Sequence, residues 1–162
     1  MENLLKKIEA HPSHKTALRL ASHAATVLSV LAFGYLSILA LRESAIAFLE
    51  LCIILGVPFL AVTVIRKAIN APRPYEIYDF YGEAPKKKRG HSFPSRHAYS
   101  AFAIGTFLCF ESPLLGGILL LFALGMCTAR VLLGIHFIRD VLTGALVGAV
   151  STLLSKLIFA LV

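Results

Sequence analysis

Three stretches without a single Asp, Glu, Lys or Arg dominate this chain. They are 22 residues between Arg19 and Arg42, 15 between Glu50 and Arg66, and 18 between Glu111 and Arg130. From Val141 to Val162 the only such charge is Lys156. A bilayer core needs about 20 apolar residues per helical span. Lipid offers the backbone no hydrogen-bond partner, so only helices or closed barrels cross it, and these runs are too long and too uniformly apolar for barrel strands. The expected fold is all-α, a polytopic membrane helical bundle. Composition agrees: 57% of the 162 residues are apolar, against about 45–50% in soluble domains. A soluble enzyme, a secreted disulfide scaffold and a disordered tail are excluded.

One domain is expected over residues 1–162, with five transmembrane spans and an N-terminal interfacial helix. Residues 1–19 read as that surface helix, interrupted around Pro12. The spans follow at about Ala21–Leu41, Ala45–Ile65, Ser95–Phe110 (short), the stretch from Pro113 to near Arg130, and Val141–Val162. Gly144 and Gly148 in the last form a small-xxx-small pattern that lets helices approach closely. Residues 66–96 hold four of the seven prolines, several aromatics and the run Lys86-Lys87-Lys88-Arg89, and read as an interfacial loop. That run suits anionic headgroups better than nucleic acid. Cys52, Cys109 and Cys127 sit in apolar runs and read as small fillers. Glu50 is expected to face other helices or to snorkel. His11, His14 and His23 carry no signal, and His91 reads as a loop residue or one at the mouth of a site. No cleavable leader is expected.

Counting spans brings three groups to one membrane face: Arg66, Lys67 and Arg73-Pro74; Pro94-Ser95-Arg96-His97; and Arg130 with His136 and Asp140. Five cations (Arg66, Lys67, Arg73, Arg96 and Arg130) meet one carboxylate. Ionisable groups at span ends are costly unless paired or functional. The missing partner should be an anion of high charge density, and phosphate fits the guanidinium fork best. His136 and Asp140, four apart, are expected on one face of a helix start, where the carboxylate fixes the imidazole tautomer and leaves the other nitrogen as nucleophile. His97 is placed to protonate a leaving oxygen and then activate water. A metal held by His97, His136 and Asp140 has suitable atoms, but five neighbouring cations would repel it, so no metal and no cofactor is expected.

At these residues the sequence resembles the type-2 phosphatidic acid phosphatase superfamily, the lipid phosphate phosphatases related to vanadium haloperoxidases. Arg130, His136 and Asp140 match the family's third motif, with Ala129 where Ser is usual. Pro94-Ser95-Arg96-His97 stands where the second has Pro-Ser-Gly-His. Arg73-Pro74 matches the end of the first, whose leading Lys position falls on Arg66, with Lys67 one place off. The resemblance covers about residues 45–162. It implies His136 as nucleophile, Asp140 as its orienting partner and His97 as acid/base. Arg73, Arg130, Arg66 or Lys67, and Ser95–Arg96 would bind phosphate. Arg96 in place of Gly adds a phosphate contact or reshapes the backbone cradle.

The expected function is metal-independent hydrolysis of a lipid phosphate or diphosphate through a phosphohistidine, with membrane lipids as surroundings and no nucleic-acid partner. Polyprenyl diphosphate such as undecaprenyl diphosphate, phosphatidylglycerophosphate and phosphatidate all qualify, with a tilt to the polyprenyl substrate. The rivals are an inactive anionic-lipid headgroup-binding protein, which has no need of His136 with Asp140, and an anion transporter, which needs polar residues at the midplane. Compactness suggests a bacterial cell membrane. The cluster of Lys and Arg on the site's face points to the cytoplasm.

Overall fold

Each apolar run becomes a helix closed by the residues that flank it. The computed structural model describes residues 11–78 and 89–161. Among these, helix α1 covers Pro12–Glu43, α2 Ala45–Ile69, the short α3 Pro74–Ile77, α4 Arg96–Glu111, α5 Pro113–Leu132 and α6 Ile138–Phe159, with no strand. The connections are tight because single residues serve two helix ends. Ser44 donates its N–H to the Ala40 carbonyl (3.0 Å) and accepts the Ala47 N–H on its hydroxyl (3.0 Å). Ser112 closes α4 on Leu108 and leads into Pro113 at the start of α5, where a proline loses nothing.

The residues from Pro12 to Arg19 do not form a separate surface segment. They are the first turns of α1, because Pro12 sits at its start and nothing before Ser44 breaks the helix. The part of the expected surface helix before residue 11, and the Lys86-Lys87-Lys88 run, lie outside the described residues.

Four helices, α1, α2, α5 and α6, are long and apolar enough to cross a membrane. The fifth, α4, has 16 residues, about 24 Å at the helical rise, less than the hydrocarbon thickness of about 30 Å. It is short and also central: α4 is the one helix packed against all four long ones. Ala98, Tyr99, Ala101, Ala103, Gly105, Thr106, Phe107 and Leu108 are all buried along it. Protein rather than lipid surrounds it. The long helices turn Val30, Leu60, Val64, Leu121 and Leu146 outward. Large apolar side chains on the outside make sense only where the solvent is lipid. The chain is an integral membrane protein.

Polar ties across the core are few and satisfied. Tyr99 Oη donates to the Leu55 carbonyl (2.9 Å), joining α4 to α2, and Thr152 Oγ1 donates to the Ala103 carbonyl (3.4 Å), joining α6 to α4. Glu50 meets Lys156 Nζ at 3.6 Å, and the same ammonium lies 4.6 Å from the centre of the Phe107 ring. Glu50 therefore faces another helix.

Candidate active site

The spacing of Arg130 and His136 follows from how α5 ends. Gly134 takes a left-handed conformation (φ 64°) and bonds back to Val131. The N–H groups of Ile135 and His136 then both point to the Arg130 carbonyl, at 3.0 and 3.3 Å. The residue whose guanidinium enters the site thus holds the backbone of the imidazole. Phe137 caps α6, and its N–H goes to Asp140 Oδ2 at 3.0 Å. His136 therefore precedes the helix instead of sharing a helical face with Asp140. The pairing of the two side chains survives because Asp140 stands in the first turn and turns back. His136 Nδ1 lies 3.5 Å from Asp140 Oδ2, with 2% and 0% of the two side chains exposed.

The second wall is the segment running into α4. Asn70 ends α2 in the left-handed region (φ 44°), and its Oδ1 takes the His91 N–H. Glu76 Oε1 staples the loop by accepting the N–H groups of Arg73 (3.1 Å) and Gly90 (2.8 Å). Arg73 Nε donates to the Gly90 carbonyl at 3.1 Å. His91 Nδ1 lies 3.3 Å from the Arg66 carbonyl, so His91 pins the loop. Ser92 bonds to the Ala71 carbonyl (2.8 Å). Ser95 donates its N–H to the Asp140 carbonyl (2.9 Å) and caps α4 through Ala98 N. The start of α4 is thereby fastened to the start of α6, and two helix N-termini face the same site.

Of the neighbouring pair in α2, Arg66 points in and Lys67 out. Arg66 is 7% exposed, and its Nη1 donates to the carbonyls of Ser92 (3.2 Å) and Pro94 (2.8 Å). Lys67, about 100° further round the helix, is exposed. Arg73, Arg96, Arg130 and Asp140 all lie within electrostatic range of Arg66. His97 is in range of His136, Arg130, Arg96 and Arg66. Arg96 projects from the first turn of α4, its guanidinium 6.0 Å from the Phe59 ring centre. The structure thus brings together every residue singled out in the sequence except Lys67.

Burial holds His136 below the ordinary imidazole value of 6.5, and the guanidinium groups of Arg73, Arg130 and Arg66 push the same way against the opposing bond to Asp140. The ring is therefore neutral at pH 7, with Nδ1 facing Asp140 Oδ2 and Ser92 Oγ and Nε2 left to act. Arg130 Nε is buried with no hydrogen-bond partner among the described residues. A buried donor left unmatched is expensive, and an anion at this spot would satisfy it. No group of three or more His, Cys, Asp and Glu side chains among the described residues is arranged to hold a metal.

Sequence reasoning missed Ser92. It is completely buried, its Oγ 2.5 Å from Asp140 Oδ2 and 3.3 Å from His136 Nδ1. The available signal was a hydroxyl two residues before Pro94.

A family model described as the PAP2 superfamily matches residues 47–161. No protein of curated function matches the sequence. Two solved structures share the fold. LpxE of Aquifex aeolicus aligns with a TM-score of 0.74 at 24% identity, covering 95% of this chain and 93% of that one. The first transmembrane PAP2-type phosphatidylglycerolphosphate phosphatase of Bacillus subtilis aligns at 0.70 and 24%, covering 99% and 85%. At that identity the likeness is one of fold.

Proposed function

The chain belongs to the PAP2 superfamily, and on that footing we propose that it is a membrane phosphatase hydrolysing a lipid phosphate or diphosphate through a phosphohistidine on His136. The observation that carries the reading is a buried, neutral imidazole oriented by Asp140 and ringed by the guanidinium groups of Arg66, Arg73 and Arg130. His136 Nε2 attacks phosphorus in line; the P–N bond forms as the P–O bond to the lipid breaks, and His97, protonated once the bound phosphate offsets the cations around it, gives its proton to the leaving oxygen. His97 then takes a proton from water, whose oxygen attacks phosphorus and releases phosphate from His136. The arginines and the N–H groups opening α4 stabilise the equatorial oxygens throughout. No metal enters these steps.

A lipid substrate is supported by what adjoins the site. A cavity of about 400 Å³ is lined by Arg96 and His97 at one end and by Phe33, Phe59, Ser100 and Ile104 beyond. A second, of about 310 Å³, shares Phe33, Phe59, Ser100 and Ile104 and continues to Leu55 and Cys52. From His97 to Ile104 is about 10 Å of helix, so a phosphate at His136 leaves its tail an apolar path into the bundle. Polyprenyl diphosphate, phosphatidylglycerophosphate and phosphatidate all fit this description, and a polyprenyl diphosphate such as undecaprenyl diphosphate is our preferred candidate.

We place the site at the cytoplasmic face of a bacterial cell membrane. Lys15, Arg19, Arg89 and Arg139 flank it, whereas Arg42 stands at the other end of the bundle. Labelling of a cysteine introduced at Lys15 by an impermeant maleimide in intact cells would overturn that placement.

The deciding experiment is phosphate release by the purified protein in detergent with chelator, across a panel of lipid phosphates, with His136→Ala alongside. Turnover that survives chelation and vanishes in the variant supports the reading. Release that needs a metal, or headgroup binding without release, overturns it.

A further inference from the structure

The direct contact between His136 and Asp140 is long for orienting the ring alone: Nδ1 and Oδ2 lie 3.5 Å apart. Ser92 Oγ is nearer to each, 3.3 Å from Nδ1 and 2.5 Å from Oδ2, so the three atoms form a triangle with the hydroxyl beside the pair. Resting on the reading of His136 as nucleophile, we propose that Ser92 is a positioning residue that relays the orientation of His136 to Asp140.

The direction of the relay follows from donor chemistry. An ionised carboxylate only accepts, so the proton on the short contact belongs to the Ser92 hydroxyl, which donates to Oδ2. The hydroxyl's lone pairs then face Nδ1, and the imidazole proton sits on Nδ1 to donate to them. That places the free lone pair on Nε2, as attack on phosphorus requires. Without the hydroxyl, Nδ1 would keep only the 3.5 Å contact, and both tautomers would become accessible.

Ser92 is held rigidly enough for the task. Its N–H is bonded to the Ala71 carbonyl, and its own carbonyl accepts from Arg66 Nη1. It is fully buried and committed on both sides, so it neither reaches phosphate nor competes as a nucleophile. Arg66 thereby supports the ring indirectly.

The test is a comparison of Ser92→Ala and Ser92→Thr with the parent protein, each with Asp140→Asn added. Orthovanadate binding and thermal unfolding in detergent serve as controls for a folded, anion-competent site. Ser92→Ala is expected to lower kcat by about 10- to 100-fold, the range seen when the outer partner of a metal-bound histidine is lost. KM and vanadate affinity should stay within twofold. Ser92→Thr, which keeps the hydroxyl, should restore most of kcat. In the Asp140→Asn background the Ser92→Ala loss should largely disappear, because the relay is already broken; a merely structural serine would add its cost instead. Nitrogen-15 NMR of His136 should show the Nδ1–H tautomer in the parent and a mixture in Ser92→Ala. Unchanged kcat in Ser92→Ala, additive losses, or an unchanged tautomer would overturn the relay. Persistence of turnover in His136→Ala would instead overturn the nucleophile on which it rests.

Discussion

Gly144 on α6 lies directly against the carbonyl oxygen of Ser95, and a β-carbon at that position would collide with it. One turn along, Gly148 meets the Tyr99 carbonyl in the same way. The small-xxx-small stripe is thus the seam that sets the start of α4 against the start of α6, and with it the distance between the His97 and His136 segments. Gly144→Ala should destabilise the protein by about 1–3 kcal/mol through overpacking and lower kcat at least tenfold. Gly125→Ala, with nothing near its added carbon, should do neither. Phosphate release and thermal unfolding in detergent measure both effects.

Arg66 and Lys67 should separate cleanly. Arg66 is buried and donates from Nη1 to two carbonyls of the Ser92–Pro94 loop, whereas Lys67 is exposed. Arg66→Ala is expected to cost about 100-fold in kcat/KM, on the scale of losing an oxyanion donor. Lys67→Ala should stay within twofold. Kinetics on one lipid phosphate in mixed micelles distinguishes the two.

Arg130 carries the unmatched buried donor. Orthovanadate at about 100 times its Kd should stabilise the parent by about 2.7 kcal/mol. Arg130→Gln should lose most of that stabilisation and about 100- to 1000-fold in kcat. Thermal unfolding with and without vanadate checks the first expectation, and steady-state kinetics the second.

The lowered pKa of His136 has a consequence for stability. The unfolded chain's histidine takes up its proton near pH 6.5, the folded one only at lower pH. Between those values the unfolded state holds more protons, so stability rises with pH. The contribution is fully present above pH 6.5 and is lost as pH falls through the folded value. Histidine-selective NMR should place the His136 midpoint below 6.5, and His136→Ala should flatten the stability profile in that window.

Glu50 and Lys156 pair at 3.6 Å near the end of the bundle opposite the site. Glu50→Gln leaves the ammonium unmatched and should destabilise by about 1–3 kcal/mol, with kcat unchanged. Replacing both residues by Leu should recover most of the loss, since an ion pair shielded from water is often replaced by apolar residues without penalty.

The membrane-spanning helices were legible in the sequence because the property that dictates them is local. An uncharged apolar run in a solvent without hydrogen-bond partners has little choice but to become a helix, and Pro12, Ser44, Ser112, Pro113 and Gly134 mark the ends one by one. His136, Asp140, His97 and the arginines were legible for a related reason: ionisable groups at span ends are rare enough to be conspicuous. Tertiary structure alone decided the rest. That Arg66 and not Lys67 turns inward depends on the rotation of α2 about its axis, which packing against α1, α4 and α6 fixes. The central place of α4 depends on contacts with four helices remote in sequence. Ser92 acquires its position beside His136 and Asp140 only when residues 44 and 48 places apart are brought within bonding distance. A buried hydroxyl looks like any other serine until the fold supplies its partners.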